Sequence, residues 1–329
     1  MSTFGRRIDK PQIGSLSGKP PQPVNEASSS ESSSPANDEL TTKERFESRL
    51  PKYKMQDLIL SESVRLELNT LQSRIQNHSL IYDEWNFKSV DPNGRNVAVN
   101  FYGPPGTGKT MCAEALADLL GKMVIEVSYA EIESKYVGET PKNIVAAFEQ
   151  ARKLDALLFF DEADSILGKR MTNVTQSADH SVNVSRAVML KQLDAFPGIV
   201  VFATNLAKNF DGAFVRRILQ HIYMGPPDEP SRLQLWQKMI SVKVPGRQDL
   251  DFGNLARSSD GLTGGLIKNV VLLALSSAAN RPKATQAINM EDIEHAMNSI
   301  KRSQIEVGSM QEEWSVHSLA GLTPPTTTV

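Results

Sequence analysis

Short apolar runs punctuate the first two thirds of the chain: VAVNFY (97–102), MVIEVSY (123–129), ALLFF (156–160), IVVFAT (199–204) and HIYM (221–224). Unbroken apolar runs of this length suit strands buried on both faces. Between them lie stretches with helical spacing: TMCAEALADLLG, PKNIVAAFEQARKL and, after a polar loop, SRAVMLKQLDAF. Strands alternating with helices predict an α/β domain on a mainly parallel sheet. Upstream, KMQDLILSESVRLELNTLQSRIQ puts Leu66, Leu68, Leu71 and Ile75 at helical intervals, with Ser61 at the helix start after the run Leu58-Ile59-Leu60.

After Pro226-Pro227 the strand pattern stops. SRLQLWQKMISV, GGLIKNVVLLALSSAAN and MEDIEHAMNSI all read as helices, which predicts a small all-helical lid over 227–302 behind an α/β subdomain over 53–226. Residues 1–52 are rich in Pro, Ser, Asn and Glu and read as a disordered N-terminal arm, either a simple tether or a partner-docking segment. Residues 303–329 form an irregular tail in which Trp314 either anchors a partner or packs on the lid.

Hydrophobic residues make up 40% and charged residues 22%, ordinary for a globular protein, and the formal net charge is −2. A near-neutral chain has no global basic field, which argues against nucleic acid as the main partner. Cys112 is the only cysteine, which excludes a disulfide framework and a thiolate metal site; at its place in a helix it reads as core. The opening MSTFGRRIDKPQIGS has no apolar h-region, and no run approaches the ~18 residues of a membrane span, so a cytoplasmic protein is expected.

The chemistry concentrates in GPPGTGKT, Gly103 to Thr110, which fits G-x-x-x-x-G-K-[ST] in full between a strand and a helix. Small residues (Gly103, Gly106, Thr107, Gly108) let backbone N–H groups surround a phosphate, and Pro104-Pro105 stiffens the loop. The helix beginning near Lys109 and running through Met111 adds its positive end. Lys109 is expected on the β- and γ-phosphates, and Thr110 on Mg²⁺. LLFFDEAD then ends a buried strand in Asp161, the expected Mg²⁺ partner, and Glu162, the candidate base for an attacking water. ATP and Mg²⁺ are the implied cofactors. The loop GKRMTNVTQSADHSVNVS (168–185) is long and polar; His180 within it reads as a solvated loop residue.

With GPPGTGKT, LLFFDEAD, VVFATN and FDGAFVRRI in this order, residues 55–300 resemble the AAA+ ATPases, and more narrowly the AAA group that includes katanin and spastin. The resemblance implies a P-loop α/β core with a helical lid. It makes Asn205 the sensor 1 amide that orients the lytic water. It makes Arg216 and Arg217 arginine fingers for a neighbouring subunit, hence a homo-oligomeric ring, usually of six. It sets Gly264 and Gly265 beside the nucleotide and Lys268 where many relatives carry a sensor 2 arginine; a lysine there is a departure. Leu58-Ile59-Leu60 is a candidate adenine wall, although the family's usual glycine-containing motif is missing. Lys135-Tyr136-Val137-Gly138 fits the family's pore loop, an aromatic-aliphatic grip on an extended polypeptide. The segment 168–185 is the second pore loop, and Arg186 is a candidate brace of the subunit interface.

Three activities are compatible with this pattern. The first is a ring ATPase that remodels or translocates a protein. The second is a nucleotide-controlled switch that binds and releases a partner enzyme without threading it. The third is a nucleic-acid machine, which the charge and the aromatic-aliphatic loop disfavour.

Overall fold

The computed structural model describes residues 46–91, 94, 96–128, 132, 139–168, 177–205 and 210–307. The α/β part begins with a two-residue strand β1 (Ser48–Arg49) and helix α1 (Glu62–Gln76). It continues with β2 (Val97–Tyr102), α2 (Lys109–Leu119), β3 (Val124–Ser128), α3 (Glu139–Leu154), β4 (Leu157–Asp161), α4 (Asp164–Leu167) and α5 (Ser177–Ala195). β5 (Ile199–Thr204), α6 (Gly212–Val215) and β6 (Gln220–Tyr223) complete it. The helical part comprises α7 (Glu229–Met239), α8 (Phe252–Ser258), α9 (Gly264–Ala279) and α10 (Met290–Val307).

The six strands form one sheet in the order β1-β3-β4-β5-β2-β6. All neighbours are parallel except β1, which pairs antiparallel with β3. The β2–β5 pair is in register from Val97 opposite Ile199 to Tyr102 opposite Thr204. Because side chains alternate across a sheet, the run of β4 divides between two cores. Leu158 and Phe160 pack with Ile144 and Phe148 of α3 and with Met189 and Leu193 of α5. Leu157 and Phe159 pack on the other face with Leu68 and Leu71 of α1 and Ala113 and Leu116 of α2. Both faces are covered, so the strands read as unbroken apolar runs.

Several expectations need correction. Residues 46–52 fall inside the composition-defined arm, yet Phe46 is buried in the first core and Ser48–Arg49 join the sheet. In α1 the buried stripe is Val64, Leu68 and Leu71, and Leu66 points outward at 67% exposure. The apolar stripe simply starts two residues earlier and runs at i, i+4, i+7. The polar stretch 168–185 is not all loop, since α5 already begins at Ser177. Arg186, expected at the start of that helix as a brace between subunits, lies within α5 and is buried inside its own chain.

The helical part has its own core around Trp236, Leu255, Ile267, Val270 and Ile293. Its first helix is capped by the Asp228 carboxylate, which accepts from the Ser231 N–H. The buried Arg232 donates to the Pro227 carbonyl at 2.8 Å and the Ala256 carbonyl at 2.7 Å, and pairs with Asp260. It ties the Pro227 backbone to the helical core. α10 continues to Val307, past the expected start of the tail. Among the described residues no helix is long and apolar enough to cross a membrane.

Candidate nucleotide site

The C-terminal ends of β2, β4 and β5 open on a cleft of about 1110 Å³ between the sheet and the helical part. Strand ends are where open α/β sheets hold ligands. Of the residues singled out from sequence, Pro105 to Met111, Asp161, Glu162, Asn205, Gly264, Gly265 and Lys268 line this one cleft. Leu58, Ile59 and Leu60 line it too, as do Tyr223, Leu235 and Met239. Asp57 is held across the cleft by Lys238 of α7, whose Nζ donates to its carbonyl at 2.6 Å.

The loop before α2 is shaped by its glycines. Gly103 has φ +148°, and a Cβ there would lie 2.1 Å from the Met224 carbonyl oxygen. Its N–H donates to the Thr204 carbonyl, which joins the loop to β5. Thr107 Oγ1 donates to the Pro104 carbonyl at 3.0 Å. Gly108 caps α2 in the left-handed region, and a Cβ there would meet nothing within 4 Å among the described residues. Open backbone at a helix N-terminus is the geometry that accepts a phosphate.

Lys109 is buried, and its Nζ donates to the carbonyls of Gly103 and Pro104, both at 2.8 Å. Burial pushes its pKa down to about 8, against the pull of Asp161 and Asp164. The next side chain, Thr110, donates its hydroxyl to Asp161 Oδ2 at 3.1 Å. The other oxygen of Asp161 accepts the Glu162 N–H at 2.8 Å. Glu162 is exposed to the cleft with φ 52°, in the left-handed region that few non-glycine residues adopt. Thus an open backbone cradle, a buried ammonium and a hydroxyl–carboxylate pair stand together, which is a donor set that fits a Mg-triphosphate. Among the described residues no group of three or more His, Cys, Asp or Glu side chains offers a self-sufficient metal site.

The helical part touches this loop directly. The Gly265 N–H donates to the Gly106 carbonyl at 2.8 Å. A Cβ on Gly265 would lie 3.0 Å from Gly106 Cα. Lys268 is exposed, one turn further along α9.

The two arginines lie outside the cleft and differ from each other. Arg217 is bidentate to Asp194, at 2.8 and 3.0 Å. Arg216 is exposed, and among the described residues its only side-chain bond is from Nε to the Gly212 carbonyl of its own helix. The preceding Asp211 caps that helix by accepting the Ala213 N–H at 2.9 Å. Lys135, Tyr136, Val137 and Gly138, and also Trp314, lie outside the described residues.

Sequence reasoning did not single out Tyr223, Arg232, Lys238, Asp164 or Thr204 for the site. The last two had a signal, since they stand inside LLFFDEAD and beside Asn205.

Fold and cleft together define a P-loop nucleotide-binding α/β protein. Residues 99–226 match the family model described as "ATPase family associated with various cellular activities (AAA)", and the chain carries a domain of this AAA ATPase family, within the AAA+ group. The Katanin p60 ATPase-containing subunit A1 of Strongylocentrotus purpuratus is 36% identical over 206 residues, covering 59% of this chain and 39% of that protein. Spastin of Gallus gallus is 32% identical over 212 residues, covering 61% of this chain and 33% of that protein. The probable 26S proteasome regulatory subunit 10B of Caenorhabditis elegans is 36% identical over 176 residues, covering 51% and 43%. The chain spans less than half the length of these relatives. Homologues in this family are ATP hydrolases.

Proposed function

We propose that the chain hydrolyses ATP with Mg²⁺ as a cytoplasmic ring of its own copies, and that hydrolysis drives remodelling of a protein substrate. The observation that carries this reading is the Thr110–Asp161 pair at 3.1 Å, with Glu162 and Asn205 facing the same space. Thr110 and Asp161 hold Mg²⁺, directly or through water, and the ion supplies charge neutralisation on the phosphates. Protonated Lys109 turns from its loop carbonyls to the β- and γ-phosphate oxygens. Glu162 takes the proton of the attacking water and Asn205 orients that water. Gly264 and Gly265 let α9 begin against the loop, and Lys268 adds a point charge from the lid side. Leu58 to Leu60 form the wall for the base.

Arg216 is the finger in this scheme, and Arg217 is its brace. Arg216 is exposed, is bonded only to its own helix and is absent from its own cleft, which favours delivery to a neighbour's phosphates. A head-to-tail interface that closes makes a ring, with six members on the family pattern. The segment Lys135-Tyr136-Val137-Gly138 is the proposed grip on the polypeptide.

Mixed assemblies test the scheme. Arg216→Ala and Glu162→Gln chains are each expected to be inactive. Mixed together, an Arg216→Ala subunit keeps its own Glu162 and receives a finger from a Glu162→Gln neighbour, so activity returns. A chain that stays monomeric in Mg-ATP, or mixtures inactive at every ratio, would overturn the in-trans assignment.

A further inference from the structure

We propose that Asp164 is a positioning residue for hydrolysis, one that fastens the strand end bearing Asn205 to the turn bearing Glu162. The inference builds on the reading of Glu162 and Asn205 as the pair that handles water.

Past Asp161 the chain turns through the left-handed Glu162, a conformation that holds only when its surroundings fix it. The β4–β5 register ends at Phe160 opposite Phe202. Two bonds prolong the attachment. The Ala163 N–H donates to the Ala203 carbonyl at 2.9 Å, and Thr204 Oγ1 donates to Asp164 Oδ1. Ala163 and Thr204, which donate these bonds, are both 1% exposed, while the Asp164 acceptor is half-buried. They bracket Glu162 on one side and Asn205 on the other.

The residue before α4 is Ala163, whose side chain makes no capping bond, and the Asp164 carboxylate reaches sideways to β5. The far end of α4 is also fastened: the Asp211 N–H donates to the Leu167 carbonyl at 2.9 Å, and Gly168 bridges to Phe210. Asp211 then caps the short helix that leads to Arg216. Asp164 therefore sits at the root of one bonded frame that runs from the water-handling pair of its own cleft towards the finger offered to the next.

The test uses full-length chains, hydrolysis at saturating ATP, and equilibrium titration with a fluorescent ATP analogue. Thr204→Val removes the donor at nearly constant volume. It is expected to slow turnover roughly 10- to 100-fold while nucleotide affinity stays within about twofold, the signature of lost positioning rather than lost binding. Thr204→Ser and Asp164→Asn both keep the bond and are expected to stay within about threefold of the unaltered chain; Asp164→Ala should match Thr204→Val, and the double variant should be no slower than the worse single one. Equal loss in Asp164→Asn and Asp164→Ala would overturn the proposal, since charge and not the bond would then be at work. Independent, multiplying losses in the double variant would overturn it as well. If melting shows Thr204→Val to be unfolded, the Asp164→Ala and Asp164→Asn pair decides alone. Glu162→Gln separates the two levels. Unimpaired turnover there removes the underlying reading, whereas arrest there with full activity in Thr204→Val removes only this inference.

Discussion

The cleft around Lys109 and the turn around Arg216 both present a cation, and they are built in opposite ways. Lys109 is enclosed: its ammonium is bonded to two carbonyls of its own loop, and the loop glycine Gly103 has no room for a methyl group. Arg216 stands exposed at the end of a four-residue helix capped by Asp211. An enclosed cation with fixed dipoles around it acts strongly on whatever enters, because little reorganisation is needed. An exposed arginine acts weakly until another surface removes it from water. In the proposed ring, one half of the chemistry would be finished within the chain, and the other half would await desolvation by a neighbour.

The largest expected effect comes from the enclosed side. Lys109→Ala deletes the buried charge and leaves the Gly103 and Pro104 carbonyls facing the phosphate position. ATP affinity should fall by roughly 100-fold or more, as when one partner of a desolvated charge pair is removed. Equilibrium titration with a fluorescent ATP analogue measures it, and retained tight binding would contradict the phosphate role. Gly103→Ala should show a related loss through folding, since its φ of +148° and the Met224 carbonyl at 2.1 Å both oppose a Cβ.

Much of the enclosed side was legible in sequence because it is contiguous. VAVNFY and IVVFAT coincide with β2 and β5, since strands buried on both faces leave unbroken apolar runs. The loop and acidic motif carry their chemistry on consecutive residues. Two kinds of feature were not legible. β1 is too short to leave a pattern; it is held by Arg49 between Glu114 and Glu126, at 2.7 and 2.5 Å, and by the Lys52 N–H on Glu114. Burial alone would raise the Glu114 carboxyl, but the Arg49 and Lys52 bonds hold it below its ordinary value. The Thr204–Asp164 and Lys238–Asp57 contacts join residues far apart in the chain, and neither residue type announces its partner. The same limit applied to the arginines, which look equivalent as a dipeptide and differ only because α5 brings Asp194 to one of them.

That difference yields the next prediction. Arg216→Ala should lower turnover by roughly 100-fold or more while leaving stability nearly unchanged, as for a lost finger. Arg217→Ala should do the reverse. Its pair with Asp194 is partly exposed, so the loss in stability is about 0.5–1 kcal/mol. Turnover should fall only as far as the Arg216 turn loosens, and an Asp194→Ala chain should behave alike. Equal kinetic damage from both arginine variants, with Asp194→Ala unaffected, would make Arg217 a second finger.

A smaller effect distinguishes the enclosed cation from the exposed one by pH. Burial lowers Lys109 from its ordinary 10.5 to about 8, so above pH 8 the free cleft increasingly holds a neutral amine. Phosphate binding needs the ammonium, so ATP affinity should weaken as pH rises past about 8, by up to roughly tenfold per unit until the nucleotide-bound pKa is reached. The contribution of this group to folding has the opposite sign. Between about 8 and 10.5 the unfolded chain binds the extra proton, so its Lys109 term favours folding more as pH rises. Weakened binding in this window therefore cannot come from Lys109-driven unfolding. The measurement is a set of titrations from pH 7 to 9.5 on Arg216→Ala chains, in which turnover does not consume the ligand. An affinity flat to pH 9.5 would mean that the ammonium is held far more tightly than its burial implies.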